Sequence, residues 1–398
     1  MSGNKKNFSS VPKIPDARPA EASEADLDPV WVESIRRKLT DWYVGASRDL
    51  PWRRDRDPYR ILVSETMLVQ TTVTAVIPYF ERFLARFPTI DALAGADERD
   101  VLKAWEGLGY YRRARQLHAA AKAVVVEHGG VVPANPDALR SLSGVGRYIT
   151  GAILSFAFDI PAPIVEANTQ RVLARWFAIR SDLKASSTQT RLWEAAGRLV
   201  PPTGAGVFNQ AFMELGALIC TPKSPSCLVC PVASECRARA LGLQDILPTV
   251  AAKPPPLPSA EAAAIVVRSG RVLIVRRGPA KLWEGFWEFP TVHVSGADPA
   301  GRSFSDGSID LASGVERLTG ARVAVGRLAR TIHYSVTKHR VQLDAYEGEG
   351  LSEALTPGRG LDAAVWERPE NLSNHPFSSA GRKLIDWVLL NVAETESG

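Results

Sequence analysis

From about Asp28 to Leu247, apolar residues recur three and four positions apart, interrupted by Gly, Pro and Asp turns. Alternation of period two is rare there, so the pattern predicts helix almost throughout. YRILVSETMLVQTTVTAVIPYFERF (Tyr59–Phe83) reads as one helix with apolar residues nearly all round it. LRSLSGVGRYITGAILSFAF places a Ser143-Gly144-Val145-Gly146 turn between two helices, the second with Ile149, Ala152, Ile153, Phe156 and Ala157 on its core face. PTVAAKPPPLPSAEA then reads as a semi-rigid Pro-rich linker, over 248–260. Beyond it the texture changes. AAAIVVRSGRVLIVRR is two β-branched runs about a Ser-Gly turn, RLARTIHYSVTKHRVQLDAY offers more strands, and SSAGRKLIDWVLLNV a closing helix. The chain is therefore multidomain, with an all-α domain over 28–247 and a smaller α+β domain over 261–392. Residues 1–27 read as a disordered polar tail.

Composition narrows the classes. The 398 residues are 45% hydrophobic, enough for sizeable cores in two or three domains. The net charge of +5 is a mild basic excess, compatible with nucleic acid without demanding it. No apolar run approaches a membrane span, and the N-terminus has no signal-peptide core. The expected location is the cytosol, where disulfides are rare.

All four cysteines fall within CTPKSPSCLVCPVASEC, as Cys220, Cys227, Cys230 and Cys236. The C-x6-C-x2-C-x5-C spacing suits four soft thiolate ligands for an iron–sulfur cluster or for zinc, though zinc sites usually pair two C-x2-C units. Inert buried thiols are the plain alternative. Lys223, Arg237 and Arg239 flank the loop as candidate phosphate contacts.

Other features carry chemistry. Gly144 and Gly146 let a turn bring backbone N–H groups to a phosphate; an ordinary tight turn is the alternative reading. Glu65 lies four residues after Ile61 and three before Leu68, inside an apolar stripe. A carboxylate there either serves a helix end or has its pKa raised to act as an acid. Glu166 stands at a helix start, where the dipole favours the charged form and an N-cap is the plain role. WEGLGYYRRARQLHAA puts paired tyrosines on a Gly-rich tip backed by cations, fit for filling a base stack or for a core.

These motifs, from about Asp28 to Val392, together resemble the MutY-type adenine DNA glycosylases of the helix-hairpin-helix/endonuclease III superfamily. The resemblance implies a six-helix module over about 51–160 and a cluster module over 28–50 and 161–247. It implies a [4Fe–4S] cluster on the four cysteines, and a hairpin of Gly144 and Gly146 gripping the DNA backbone. Glu65 would protonate adenine N7, Glu166 would stabilise the sugar cation, and Tyr148, Asn168 and Arg53 would line the adenine pocket. Gln70 and Tyr110 would enter the base stack. The C-terminal domain resembles the Nudix-like module that reads 8-oxoguanine, here through Thr337. Where a Nudix hydrolase needs a glutamate cluster, DLASGVERLTGARV offers Glu316, so it reads as a binding module.

The implied substrate is double-stranded DNA holding adenine opposite 8-oxoguanine or guanine, bound by a monomer with no membrane involved. Four departures stand out. Glu166-Ala167-Asn168 replaces the family's Asp-Gly-Asn, Val69 precedes Gln70, Ser143 stands where proline is common, and Lys338 follows Thr337 in place of histidine. Strand-cleaving relatives carry a lysine where this chain has Tyr148, and a phenol forms no Schiff base, so the implied enzyme is monofunctional. The rival readings are an endonuclease III-like glycosylase for oxidised pyrimidines and a catalytically weak lesion sensor.

Overall fold

The computed structural model describes residues 27–249, 254–279, 282–294 and 311–392. The tail over 1–26 and part of the linker lie outside them. The helices of the first domain are α1 (Pro29–Ala46), α2 (Pro58–Leu68), α3 (Val73–Arg86), α4 (Ile90–Ala94), α5 (Glu98–Ala104), α6 (Arg112–His128), α7 (Pro136–Ser141), α8 (Arg147–Phe158), α9 (Ala167–Trp176), α10 (Ser186–Leu199), α11 (Ala205–Leu218) and the one-turn α12 (Arg237–Ala240). Among the described residues no helix is long and apolar enough to cross a membrane.

The helix expected over Tyr59–Phe83 is two. It breaks over Val69–Thr72, where Thr72 becomes the extended N-cap of α3. Hydrophobicity continues through the break and masked it. The residues there are Val69, Gln70, Thr71 and Thr72, and β-branched side chains and capping threonine both favour leaving a helix.

The chain divides into two compact units, each discontinuous in sequence. One takes the residues up to Asp49 and those from Arg147 to the linker; the other takes Leu50–Gly146 and the C-terminal domain. The module border expected near 160 therefore lies before α8, which packs into the cysteine-bearing unit. Asn209 of α11 donates to the Ser155 hydroxyl at 3.0 Å and to the Ala162 carbonyl at 2.8 Å. Gly151 of α8 sits directly against the Pro163 carbonyl. The core of this unit gathers Ile35 and Leu39 of α1, Val172 and Trp176 of α9, Leu192 of α10, and Phe208 and Phe212 of α11. Trp176 stacks on Phe212 with centroids 5.1 Å apart.

In the other unit, α3 and the turn after α5 share an aromatic core in which Phe83 meets Trp105 edge-on at 5.9 Å. Its C-terminal part is a mixed sheet of β1 (Leu257–Arg268), β2 (Arg271–Arg277), β3 (Trp287–Glu288), β4 (Thr291–His293), β5 (Val323–Val336), β6 (His339–Gly350) and β7 (Leu361–Glu367), with helices α13 (Leu311–Thr319) and α14 (Ser379–Asn391). The path is β3-β2-β1-β6-β5, with β4 on β1 and β7 on β2. β1 begins at Leu257, four residues inside the expected linker, because it pairs in parallel with β6 from Leu257↔His339 onward. The Ser-Gly hairpin forms as expected, with Ser269 and Gly270 both at positive φ. β1 alternates between two cores. Ala263 and Ile265 face the α14 side with Leu384 and Ile385, whereas Ala262, Ala264 and Val266 face the α13 side with Leu311 and Val315.

A Cβ on Gly151 would fall 2.1 Å from the Pro163 carbonyl oxygen, a backbone atom that cannot step aside. Gly151→Ala is expected to cost about 1–3 kcal/mol or more in denaturant unfolding. An unchanged midpoint would show that α8 does not pack as described.

Candidate active site

Asp57 starts α2 by accepting from the Tyr59 N–H at 2.8 Å, with Pro58 in the first turn. This fixes the helix that carries Glu65. Its neighbours Leu62, Ser64 and Met67 are buried, and Glu65 itself is only 2% exposed. The spacing argument from Ile61 and Leu68 holds: the carboxyl is out of bulk water. Arg53 closes the short 3₁₀ turn Pro51–Arg53 in the same unit.

Gln70 and Tyr110 both have positive φ, 61° and 50°, which is unusual for residues with side chains. Tyr110 is 61% exposed while its neighbour Tyr111 is buried, so the tyrosine pair divides into one protruding ring and one core ring. Strained, exposed side chains on rigid loops are suited to entering another molecule.

Arg113, also in this unit, holds the two loops. Its Nη1 donates to the carbonyls of Thr66 at 3.0 Å, Met67 at 2.7 Å and Val69. Its Nη2 reaches Thr71 Oγ1 at 3.0 Å and the Gly109 carbonyl at 3.2 Å. One guanidinium thus caps α2 after Glu65 and ties the Gln70 loop to the Tyr110 loop. Burial pulls its pKa down to about 10, still charged at neutral pH. Sequence reasoning grouped it with the surface cations. Its position four residues before the buried Leu117 was the available signal.

Glu166 is the N-cap of α9 in a reciprocal capping box. Its Oε1 accepts from the Thr169 N–H at 3.0 Å and its Oε2 from the Asn168 N–H at 2.8 Å, while Thr169 Oγ1 accepts from the Glu166 N–H. The longer side chain reaches the donors through an extended backbone, φ −137° and ψ −177°. Burial raises its carboxyl above the usual glutamate range, and the two capping N–H groups and Arg171 only partly oppose this. Asn168 passes the contact on: Arg171 Nη2 donates to Asn168 Oδ1 at 2.8 Å, and Arg171 Nε to the Cys220 carbonyl at 2.7 Å. Tyr148, in the first turn of α8, has its hydroxyl 3.8 Å from the Met213 sulfur.

The hairpin glycines differ. Gly144 has φ +77° and lies against Gln116, so it needs to be glycine. Gly146 has ordinary φ, so only Gly144 of the pair takes the left-handed conformation. Gly146 is exposed with nothing near its missing side chain, which leaves room for a backbone phosphate.

The four cysteines line one cavity with Arg175, Trp176, Leu215 and Ile219. Among the described residues no three His, Cys, Asp or Glu converge on a single-ion point. The four thiols share this lining as a soft donor set for a metal group. Burial pushes the Cys230 thiol up to about 12 and raises Cys227 and Cys236, a tendency that a bound metal would oppose by favouring thiolate. Arg175 donates toward Cys220 Sγ at 3.2 Å.

Residues 63–198 match the HhH-GPD superfamily of base excision DNA repair proteins, and residues 262–387 match the NUDIX domain. The adenine DNA glycosylase of Rattus norvegicus is 39% identical over 89% of this chain and 78% of its own. The chain belongs to the adenine DNA glycosylase family. The Homo sapiens adenine DNA glycosylase is 33% identical over 89% of the chain and 74% of its own length. Among solved structures, a thermostable thymine-DNA glycosylase is 29% identical, with a TM-score of 0.49, and covers 53% of this chain and 98% of its own.

As a family member the enzyme removes adenine from DNA in base excision repair. Its C-terminal domain presents Thr337 at the tip of the β5–β6 hairpin, exposed and at φ 51°. On α13 the acid Glu316 is solvent-exposed.

Arg113→Gln strips donors from the carbonyls of Thr66, Met67, Val69 and Gly109 at once. Its unfolding free energy is expected to fall by about 3 kcal/mol or more. A loss below about 0.5 kcal/mol would mean the guanidinium is not holding these loops.

Proposed function

We propose that the enzyme excises adenine opposite 8-oxoguanine, and opposite guanine, by acid-assisted hydrolysis without strand cleavage. The carrying observation is Glu65, a carboxyl 2% exposed in the middle of an apolar helix. Neutral adenine is a poor leaving group, and a proton delivered to N7 lets the glycosidic bond break. Glu166, ionised and fixed as a helix cap, stabilises the developing sugar cation, and water completes the hydrolysis. Gln70 and Tyr110 fill the stack around the extruded base. Thr337 reads the lesion. Tyr148 offers a phenol where an imine-forming amine would be needed for strand cleavage. Cys220, Cys227, Cys230 and Cys236 hold a [4Fe–4S] cluster, which when bound crosslinks the loop carrying Lys223, Arg237 and Arg239.

One observation favours a second reading, a lesion-binding protein with slow chemistry. Both oxygens of Glu166 are engaged by its own helix. Single-turnover assays separate the two. With enzyme in excess over an adenine:8-oxoguanine duplex, the wild type is expected to release adenine. Glu65→Gln should be slower by about 10²–10⁴-fold, and Glu166→Gln should bind the duplex yet release none. Tight binding without excision by the wild type would support the second reading instead.

Glu166 acts as its anion and its carboxyl is raised. Excision should therefore fall as pH drops through a value above the ordinary glutamate range, about 4.3. An acid limb at or below that value would remove Glu166 from the role.

A further inference from the structure

The loop that presents Tyr110 is clamped by the C-terminal domain of the same compact unit. Glu106 lies four residues before Tyr110, and its side chain is only 12% exposed. Arg382 of α14, 276 positions away, grips both its oxygens through Nε and Nη2, the Nη2–Oε2 contact being 2.7 Å. Glu106 Oε1 also accepts the Phe377 N–H at 3.2 Å, and Phe377 is a fully buried core residue of that domain. Lys103 completes the knot, donating to Glu106 Oε2 at 2.9 Å and to the Ser373 carbonyl. Arg382 itself reaches on to the carbonyl of His375.

The far side of the loop is held as well. The Tyr111 ring lies 4.1 Å, centroid to centroid, from Phe286, and its hydroxyl accepts the Gly107 N–H at 3.0 Å. Arg115 donates to the Glu284 carbonyl. Between these anchors the chain passes through Gly107 at φ +94°, Gly109 at φ +77° and Tyr110 at φ +50°. The two glycines reach positive φ without strain, but Tyr110 carries a side chain and holds its φ only where the surroundings impose it. Local bonds hold parts of the loop, from the Leu108 N–H to the Trp105 carbonyl and from the Arg113 N–H to the Tyr110 carbonyl, with the Trp105 indole and Arg113 on the Gly109 carbonyl; the side chain of Glu106 ties it to the C-terminal domain.

We propose that the Glu106–Arg382 pair is a positioning device for the wedge, so that the C-terminal domain sets the conformation of the Tyr110 loop as well as reading the opposite base. This rests on the wedge role given to Tyr110 above. Both members act through Tyr110 and touch no substrate. The carboxylate accepts from Arg382 and the Phe377 N–H, both remote in sequence, and from Lys103 three residues away. Removing Arg382 leaves the largely buried carboxylate with Lys103 and the Phe377 N–H, and removing Glu106 leaves the guanidinium without a carboxylate partner among the described residues. Movement of the loop by about 1 Å suffices to cost excision about a hundredfold.

The test uses the full-length protein with four variants: Arg382→Gln, Glu106→Gln, Tyr110→Ala and the Arg382→Gln/Tyr110→Ala double. Hydrogen exchange at residues 106–111 is read beside single-turnover excision, with thermal unfolding recorded for each. Arg382→Gln and Glu106→Gln should each speed exchange in that segment and slow excision about tenfold to a hundredfold. In the Tyr110→Ala background, Arg382→Gln should add less than about twofold, because the wedge it positions is gone. Unchanged exchange in a folded Arg382→Gln protein overturns the inference. So does fast exchange with wild-type excision, or full additivity with Tyr110→Ala. Wild-type excision by Tyr110→Ala alone would instead overturn the wedge role, and the inference with it. A variant too unstable to assay is replaced by Arg382→Lys, which keeps the charge and loses the two-pronged grip, with the same outcomes read.

Discussion

A chain that leaves a helix to expose working residues strands its carbonyls, and buried carbonyls need donors. In this protein guanidinium groups supply them. Arg113 serves the end of α2 and the Gln70 and Tyr110 loops, and Arg171 serves Gly216, Cys220 and the Asn168 amide. Arg175 serves Leu247 and Thr221 beside the cysteines, and Arg36 the last carbonyls of α10. Each bridges segments distant in sequence with several donors in a rigid plane, which lysine cannot do. The price is burial of charge, visible in the lowered pKa of Arg113 and Arg171.

The chemistry depends on that scaffold in two ways. In one unit a helix keeps Glu65 dry while its end is locked by Arg113, so the acid and the protruding Gln70 share one frame. In the other, Glu166 gives its charge to a helix N-terminus and, through Asn168 and Arg171, connects to the backbone of Cys220. A polynuclear cluster on the four sulfurs would stiffen the far end of that chain of contacts. Glu166 keeps a full reciprocal cap on an extended backbone.

Much of this was legible in the residues. Glu65 could be placed inside from Ile61 and Leu68, the four cysteines from their spacing, and the Ser269-Gly270 hairpin from its flanking β-branched runs. Which tyrosine of the pair protrudes was not legible, since paired tyrosines fit a core equally well; the structure buries Tyr111 and exposes Tyr110. What stayed hidden depends on distant partners. The break after Leu68 carries no glycine or proline, and the parallel pairing of β1 with β6 joins segments about eighty residues apart. The role of Arg113 rests on carbonyls more than forty positions away, and that of Glu106 on α14. No local pattern announces either.

We propose that the proton on N7 of the extruded adenine comes from the buried carboxyl of Glu65. A duplex with 7-deazaadenine opposite 8-oxoguanine keeps the base's shape and pairing edge but lacks that nitrogen. Measured under enzyme excess, it is predicted to bind as tightly as the adenine duplex and to lose no base. Excision of 7-deazaadenine at the rate of adenine would contradict the claim.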